Sequence, residues 1–422
     1  MAEVKPFRAM MYCNDLAGEF SELCCPPYDI IPPAEQARLY REAPYNAIRL
    51  ELAPGEGAQR YANAAATLKK WLDDGILTIH DRDAFYIYEE EFTVGGKVLS
   101  LRGLIARVVL EEFSKGIVLP HEETLSKAKQ DRFDLMVATG CNFSQVYSMY
   151  IDDEHTITPK IDAIASRRPD IEFTYSDGVT HRLWIEGDKA TCAALSEAFA
   201  DHQLFIADGH HRYETALNYR NYLRETKGDA GNADCVMMML VDIDHPGLVV
   251  LPTHRVIFGL DDFHAEDVLS SLAGTFTSKK INKSEVEPAL ADADAPSFVF
   301  YAEGTAHLLT LADPAAMAAA VPDRSDAYRT LDVAILHSLI LEPCFGIDRE
   351  NMARGENLRY TRDAAEAFSD VDSGAAQAAF ILNPTRVRQI KDVALAGDKM
   401  PQKSTYFYPK IITGLLFNNF QY

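Results

Sequence analysis

The 422 residues are 47% hydrophobic and 25% charged, the balance of an ordinary globular chain with length for two or three domains. Lys+Arg 41 against Asp+Glu 63 gives a formal net charge of −22, which repels nucleic acid and anionic membrane and reserves any basic pocket for a small anion. Seven cysteines without C-x-x-C spacing, no leader-like opening and no membrane-length apolar run predict reduced thiols and a cytoplasmic protein with neither nucleic-acid nor membrane partner.

In chain order, residues 4–11 read as a strand and 24–33 (C-C-P-P-Y-D-I-I-P-P) as a proline corner of extended backbone. Residues 34–43 predict a short helix. Residues 47–52 alternate like a strand, with Arg49 and Glu51 on one face. An amphipathic helix follows at 61–72, stopped by Asp73-Asp74-Gly75. A hairpin of 84–94 and 97–110 turns at Gly95-Gly96. Beyond a polar stretch at 119–135, strands are expected at 142–150 and 181–185 and a helix at 190–200. Two apolar strands at 235–243 and 247–258 precede a smaller α+β part over 260–320, with a helix at 265–272 and strands near 297–301 and 307–311. The alanines at 315–320 read as a surface connection, and 331–341 as an apolar helix. Alternating strands and helices predict an α/β or α+β class.

The densest chemistry lies at 206–217, I-A-D-G-H-H-R-Y-E-T-A-L. An apolar strand at 204–206, a turn at Asp208-Gly209 and a helix over 213–219 place Gly209, His210, His211 and Arg212 at a helix N-terminus. Backbone N–H groups and the dipole favour an anion there, and Arg212 adds a bidentate cationic fork. The alternative is a structural turn with a capping Asp208 and solvated histidines. Residues 119–135 hold His121, Glu122, Glu123, Thr124, Lys127, Lys129, Asp131 and Arg132, and read equally as an active-site flap over an anionic substrate or as a solvated helix face. Lys403-Ser404-Thr405 echoes the end of a phosphate loop without its glycines, against a plain C-terminal strand over 400–414 with surface lysines. His254 in L-P-T-H-R and the pair Tyr28-Asp29 are weaker substrate-side candidates, Asp29 as a base or metal ligand. No G-x-G-x-x-G after the first strand, G-x-S-x-G, H-E-x-x-H or kinase catalytic-loop set is present, nor the aspartate-nucleophile signature of haloacid-dehalogenase-like phosphatases.

The stretches V-K-P-F-R-A, P-P-Y-D-I-I, Y-N-A-I-R-L, L-P-H-E-E-T-L, D-G-H-H-R-Y-E-T-A, L-P-T-H-R and K-S-T-Y-F-Y-P-K run from Val4 to Lys410, and with them the chain resembles the prokaryotic domain-of-unknown-function 1015 family. More distantly, G-H-H-R-x-x-x-A at 209–216 is similar to the nucleotide-phosphate motif of the ParB/sulfiredoxin superfamily. That group includes CTP-binding partition proteins, ATP-using sulfiredoxins and ADP-dependent free serine kinases. The resemblance implies a mixed sheet with a large insertion: a core of 1–55 plus 186–258 carrying the site, an inserted hairpin and flap at 56–185, and a C-terminal α+β region at 259–422 that returns to it. It implies phosphate binding by Gly209, His211 and Arg212, and a metal or acid/base role for Asp208. His210 stands where sulfiredoxin has its cysteine, which speaks against peroxiredoxin repair.

The expected function is phosphoryl transfer on a small hydroxylated metabolite, serine or phosphoserine first, in the phosphatase or kinase direction. ATP, ADP or another nucleotide and Mg²⁺ are the implied cofactors. His210, Asp208, His121 and Glu122 are the catalytic candidates; Gly209, His211, Arg212, Lys403, Ser404 and Arg132 are the phosphate-binding ones. The alternative is a nucleotide-binding regulatory or scaffold protein without turnover.

Overall fold

A computed structural model describes residues 1–124 and 126–422, with the side chains of all of these but 126–128 and 353. Leu125 and the Lys127 side chain, both in the expected flap, lie outside the described residues. Two units make up the chain: Met1–Pro120, Thr124–Leu248 and Pro409–Tyr422 form the first, His121–Glu123 and Val249–Tyr408 the second.

The first unit is built on a mixed nine-stranded sheet. Its strands are β1 (Val4–Lys5), β2 (Phe85–Val94), β3 (Lys97–Val109), β4 (Val118–Leu119), β5 (Val146–Tyr150), β6 (Ile171–Thr174), β7 (Thr180–Glu186), β8 (Leu204–Asp208) and β9 (Cys235–Asp242). They lie in the order β4-β8-β5-β9-β3-β2-β7-β6, with β1 beside the end of β3. The expected hairpin is β2–β3, closed by Gly95 and Gly96, both at positive φ as a two-residue turn matched to strand twist requires. Alternation sends Ile87, Leu104, Val146, Ile206 and Met238 into one core. It leaves Tyr88, Glu90 and Tyr147 on the opposite face.

Helices α1 (Ile48–Glu51), α2 (Ala58–Asp73), α3 (Ser126–Thr139), α4 (Lys189–Phe199) and α5 (His210–Lys227) complete this unit's main elements. The alternation at 47–52 therefore resolves as a helical turn, not a strand. The Asn46 side chain accepts from the Ile48 N–H at 2.9 Å and starts the turn, which buries Ile48, Leu50 and Glu51. The expected strand at 4–11 splits at Pro6, which has no N–H for a ladder: β1 pairs with β3, whereas Met10–Tyr12 pairs with Leu77–Ile79.

The second unit carries a six-stranded antiparallel sheet of β10 (His254–Ile257), β11 (Phe276–Ile281), β12 (Ser297–Ala302), β13 (Thr305–Leu311), β14 (Leu358–Thr361) and β15 (Ala378–Leu382), in the order β11-β13-β12-β15-β10-β14. Helices α6 (Val286–Ala291) and α7 (Ala364–Asp372) pack on it. Ala315–Ala320 is a helix rather than a connection, as alanine's propensity allows. The helix expected at 331–341 is α-helical over Asp332–Leu336 and widens to a π-helix over His337–Leu341, just before Pro343, which cannot extend an i to i−4 ladder. Residues 400–420 hold only the short strands Phe407–Tyr408 and Asn418–Asn419 in an otherwise irregular path. The α/β class is as the sequence predicts. Among the described residues no helix is long and apolar enough to cross a membrane.

Candidate functional site

In the first unit, β8 ends on Asp208 and the next residue, Gly209, caps the 18-residue helix α5. Gly209 sits at φ +91°, and a Cβ there would come within 2.9 Å of Arg212 Nε, so both the turn and the returning guanidinium require glycine. Arg212 folds back over the helix start. Its Nη2 donates to Asp208 Oδ2 at 2.7 Å and its Nη1 to the Gln145 carbonyl. Lys410 Nζ donates to the other oxygen, Oδ1, at 2.9 Å. Burial alone would raise the Asp208 carboxyl, but Lys410 and Arg212 outweigh it and hold the group well below the usual carboxylate range. Burial likewise opposes the Arg212 charge, and Asp208, Asp29 and Tyr28 more than restore it.

A second charged group lies beside this one. Arg132 Nη1 donates to Glu51 Oε2 at 2.6 Å, and Nη2 meets Asp131 Oδ2 at 2.5 Å. Arg132 and Glu51 are buried, and Ser144 Oγ donates to the remaining Glu51 oxygen while lying 2.7 Å from Thr413 Oγ1. The Arg132 guanidinium stacks 4.1 Å from the Tyr28 ring centre. Burial pushes the Tyr28 phenol up to about 12 against the pull of Arg132. Tyr28, Glu51, Arg132, Ser144, Arg212 and Thr215 border a small cavity of about 30 Å³. That is room for water-sized occupants. His210 is buried in the first turn of α5, with His211 half-buried beside it.

The remaining sequence candidates belong to the second unit. His121 Nε2 is 3.2 Å from Thr405 Oγ1, its carbonyl accepts from the Met400 N–H at 2.7 Å, and Glu122 bridges to Met400. Ser404 Oγ donates to the Pro401 carbonyl. Lys403 is one of the few non-glycine residues in the left-handed region, at φ 58°, and its carbonyl accepts from Arg255 Nη2 at 3.3 Å. His254 Nδ1 accepts from the Leu382 N–H at 3.3 Å. Tyr28, Asp29, Arg132 and Asp208 to Arg212 thus gather in one unit, and His121, Glu122, Lys403, Ser404 and His254 lie in the other. The second cation on Asp208 is Lys410, which ends the same K-S-T-Y-F-Y-P-K stretch but is not among the residues singled out from the sequence. Glu51 and Ser144 were missed too, and no local pattern marks them. Among the described residues, no group of three or more His, Cys, Asp or Glu would hold a metal ion.

Residues 4–334 match the model of the family described as protein of unknown function DUF1015. The chain belongs to that family. No curated protein matches this DUF1015 member. Among solved structures it is similar to a free serine kinase in complex with AMP (12% identity, TM-score 0.38, 74% of this chain and 92% of that one). It is also similar to a conserved hypothetical protein from Pyrococcus furiosus (11% identity, TM-score 0.37, 76% and 96% covered). A third is SbnI with a C-terminal truncation from Staphylococcus aureus (12% identity, TM-score 0.36, 72% and 84% covered).

The sheet face of the first unit that bears Tyr147 also buries an acid–base pair. His181 and Glu90 are cross-strand partners, and Tyr88 Oη lies 2.9 Å from Glu90 Oε1 and 2.7 Å from His181 Nδ1. Glu90 Oε2 and His181 Nε2 are buried without a partner among the described residues. Burial pushes the Glu90 carboxyl up to about 8 and the His181 imidazole down to about 3, so both are neutral at pH 7. From its ordinary 4.5 up to about 8, folded Glu90 keeps a proton that the unfolded chain releases, so its contribution to stability falls as pH rises through that window. His181 acts oppositely, costing stability as pH falls below 6.5, so above that value Glu90 acts without it. Glu90→Gln, which keeps an acceptor for Tyr88, is expected to gain on the parent between pH 6.5 and 8, by at most about 1.4 kcal/mol per pH unit. Urea midpoints across that range would show it; a pH-independent difference means that Glu90 is already ionised.

Proposed function

We propose that the first unit binds a phosphorylated small molecule at the start of α5 and performs phosphoryl transfer on a small hydroxylated metabolite, with serine or phosphoserine the first candidate. The observation that carries this reading is the Asp208 carboxylate held between Arg212 and Lys410 at a glycine-capped helix N-terminus. Two cations and a helix dipole converge on one carboxylate, so an incoming phosphate that displaces Asp208 from them would find both cations already in place. Phosphoryl transfer asks for little more than positioning and such neutralisation. Asp208, ionised at any physiological pH, would share in a Mg²⁺ shell only once a bound phosphate has drawn Arg212 and Lys410 away from its two oxygens. His210, in the adjoining turn, would move the proton of the attacking hydroxyl. The same loop carries the resemblance to the ParB/sulfiredoxin motif, and ATP or ADP is the donor it suggests.

One feature favours the second reading, nucleotide binding without turnover: a carboxyl held so far down is a weak base. Both are tested by calorimetry with ATP, ADP and phosphoserine, with and without Mg²⁺, alongside product assays for serine phosphorylation and phosphoserine hydrolysis. Binding with product, both lost in Arg212→Ala and Lys410→Met, supports the enzyme. Binding of a nucleotide without product over hours supports the regulator. Unchanged binding and activity in both variants would remove the site.

A further inference from the structure

We propose that the second unit contains a separate small-molecule site, for an organic monocarboxylate with an apolar body. It lies at the end of the six-stranded sheet where β14 and β15 finish, β10 begins and α7 starts. A cavity of about 710 Å³ opens there. That is within the size range of ligand pockets, which characteristically join an apolar lining to a few converging polar groups.

Leu290, Phe368 and Ile381 give the cavity its apolar surface. Its polar groups are few and chemically distinct. Arg362 stacks on the Tyr406 ring at 3.9 Å and forms no ion pair among the described residues, so its fork is oriented by the ring without a carboxylate bound to it. His254 is buried, 4% exposed. The Leu382 N–H donating to Nδ1 requires that nitrogen to be unprotonated, so the neutral ring carries its hydrogen on Nε2. Burial lowers this imidazole to about 4, so at neutral pH it is a fixed donor without charge.

The other charged groups lining the cavity are otherwise engaged or acidic. Lys283 is paired with Asp372 at 2.5 Å and lies over the Tyr301 ring, and Asp363 caps α7 by accepting from the Ala365 N–H at 2.8 Å. Glu287 adds a second carboxylate. One cation without an ion-pair partner plus one neutral donor matches a single negative charge. The neighbouring carboxylates disfavour a phosphate dianion, which would need a second free cation.

The test titrates the full chain with phenylacetate by ligand-observed NMR, with phenylacetamide as the uncharged isostere and inorganic phosphate as the rival anion. Saturable phenylacetate binding is expected, weakened about 10- to 100-fold in Arg362→Gln, the loss of one charge-assisted contact. Arg362 is exposed, so this variant should fold. Binding should persist in Arg212→Gln, which alters only the first unit's site and so separates this proposal from the phosphoryl-transfer reading. No saturable phenylacetate binding, equal binding of phenylacetamide, tighter binding of phosphate, or an Arg362→Gln titration matching the parent would each overturn the assignment.

Discussion

Arg132→Met is expected to destabilise the first unit by about 3–5 kcal/mol, because it strands the Glu51 carboxylate in the interior. Glu51 is 3% exposed and Arg132 is 6% exposed. Their attraction in a low-dielectric setting only offsets the cost of taking both charges out of water, so the pair itself adds little net stability. Removing one member exposes the whole desolvation cost of the other. The double change Arg132→Met with Glu51→Leu should therefore recover much of the loss, leaving Ser144 and Thr413 bonded to each other. Urea unfolding followed by fluorescence measures this: the midpoint should fall sharply in the single variant and return most of the way in the double one. A single variant within about 1 kcal/mol of the parent would mean that Glu51 reaches water instead.

Asp208→Asn separates binding from chemistry. The carboxylate now occupies both cations, so an incoming anion must compete with it. The amide keeps an acceptor but removes the negative charge, leaving Arg212 and Lys410 with excess positive charge. Inorganic phosphate is then expected to bind about ten-fold or more tightly, in line with loss of one close like-charge interaction. Any Mg²⁺-dependent turnover should disappear. Calorimetry with phosphate and a product assay on the same preparation supply both readouts. Unchanged phosphate affinity would show that the ligand does not approach Arg212 and Lys410 at all.

The strand–turn–helix that begins at Leu204 was legible because its signals agree, an apolar run, a glycine turn and helical residues over 213–219, although the helix starts three residues earlier, at His210, and runs on to Lys227. The hairpin of β2 and β3 was equally plain, since Gly95-Gly96 admits few other readings. The segment at 47–52 misled because A-I-R-L-E-L satisfies period two and one helical turn alike. In the folded chain Asn46 accepts from the Ile48 N–H and starts a helical turn, and Arg132, far along the chain, meets Glu51 at its end. Lys410 escaped notice for a related reason. It lies on irregular backbone, without periodicity to orient it, and its importance rests on a carboxylate 202 positions earlier. Lys403, with its flanking hydroxyls, drew attention through local composition, which carries no information about distant partners. The paired polar groups Glu90 and His181 were invisible for the same cause, since each looks like a surface residue on a half-polar strand.

Residues 249–408 interrupt the first unit, and Lys410 and Thr413 follow them. A ribosome making this chain thus synthesises every strand of the nine-stranded sheet well before the lysine that reaches Asp208. At ordinary elongation rates the interval is roughly ten to thirty seconds, long compared with the folding of most small domains. During that time Asp208 and Arg212 lack their third member, and Ser144 lacks Thr413. Completion of the anion site is therefore timed by translation: a nascent chain can hold most of the architecture while it is still without the chemistry, and a premature stop anywhere from position 249 to 410 removes the lysine that reaches Asp208.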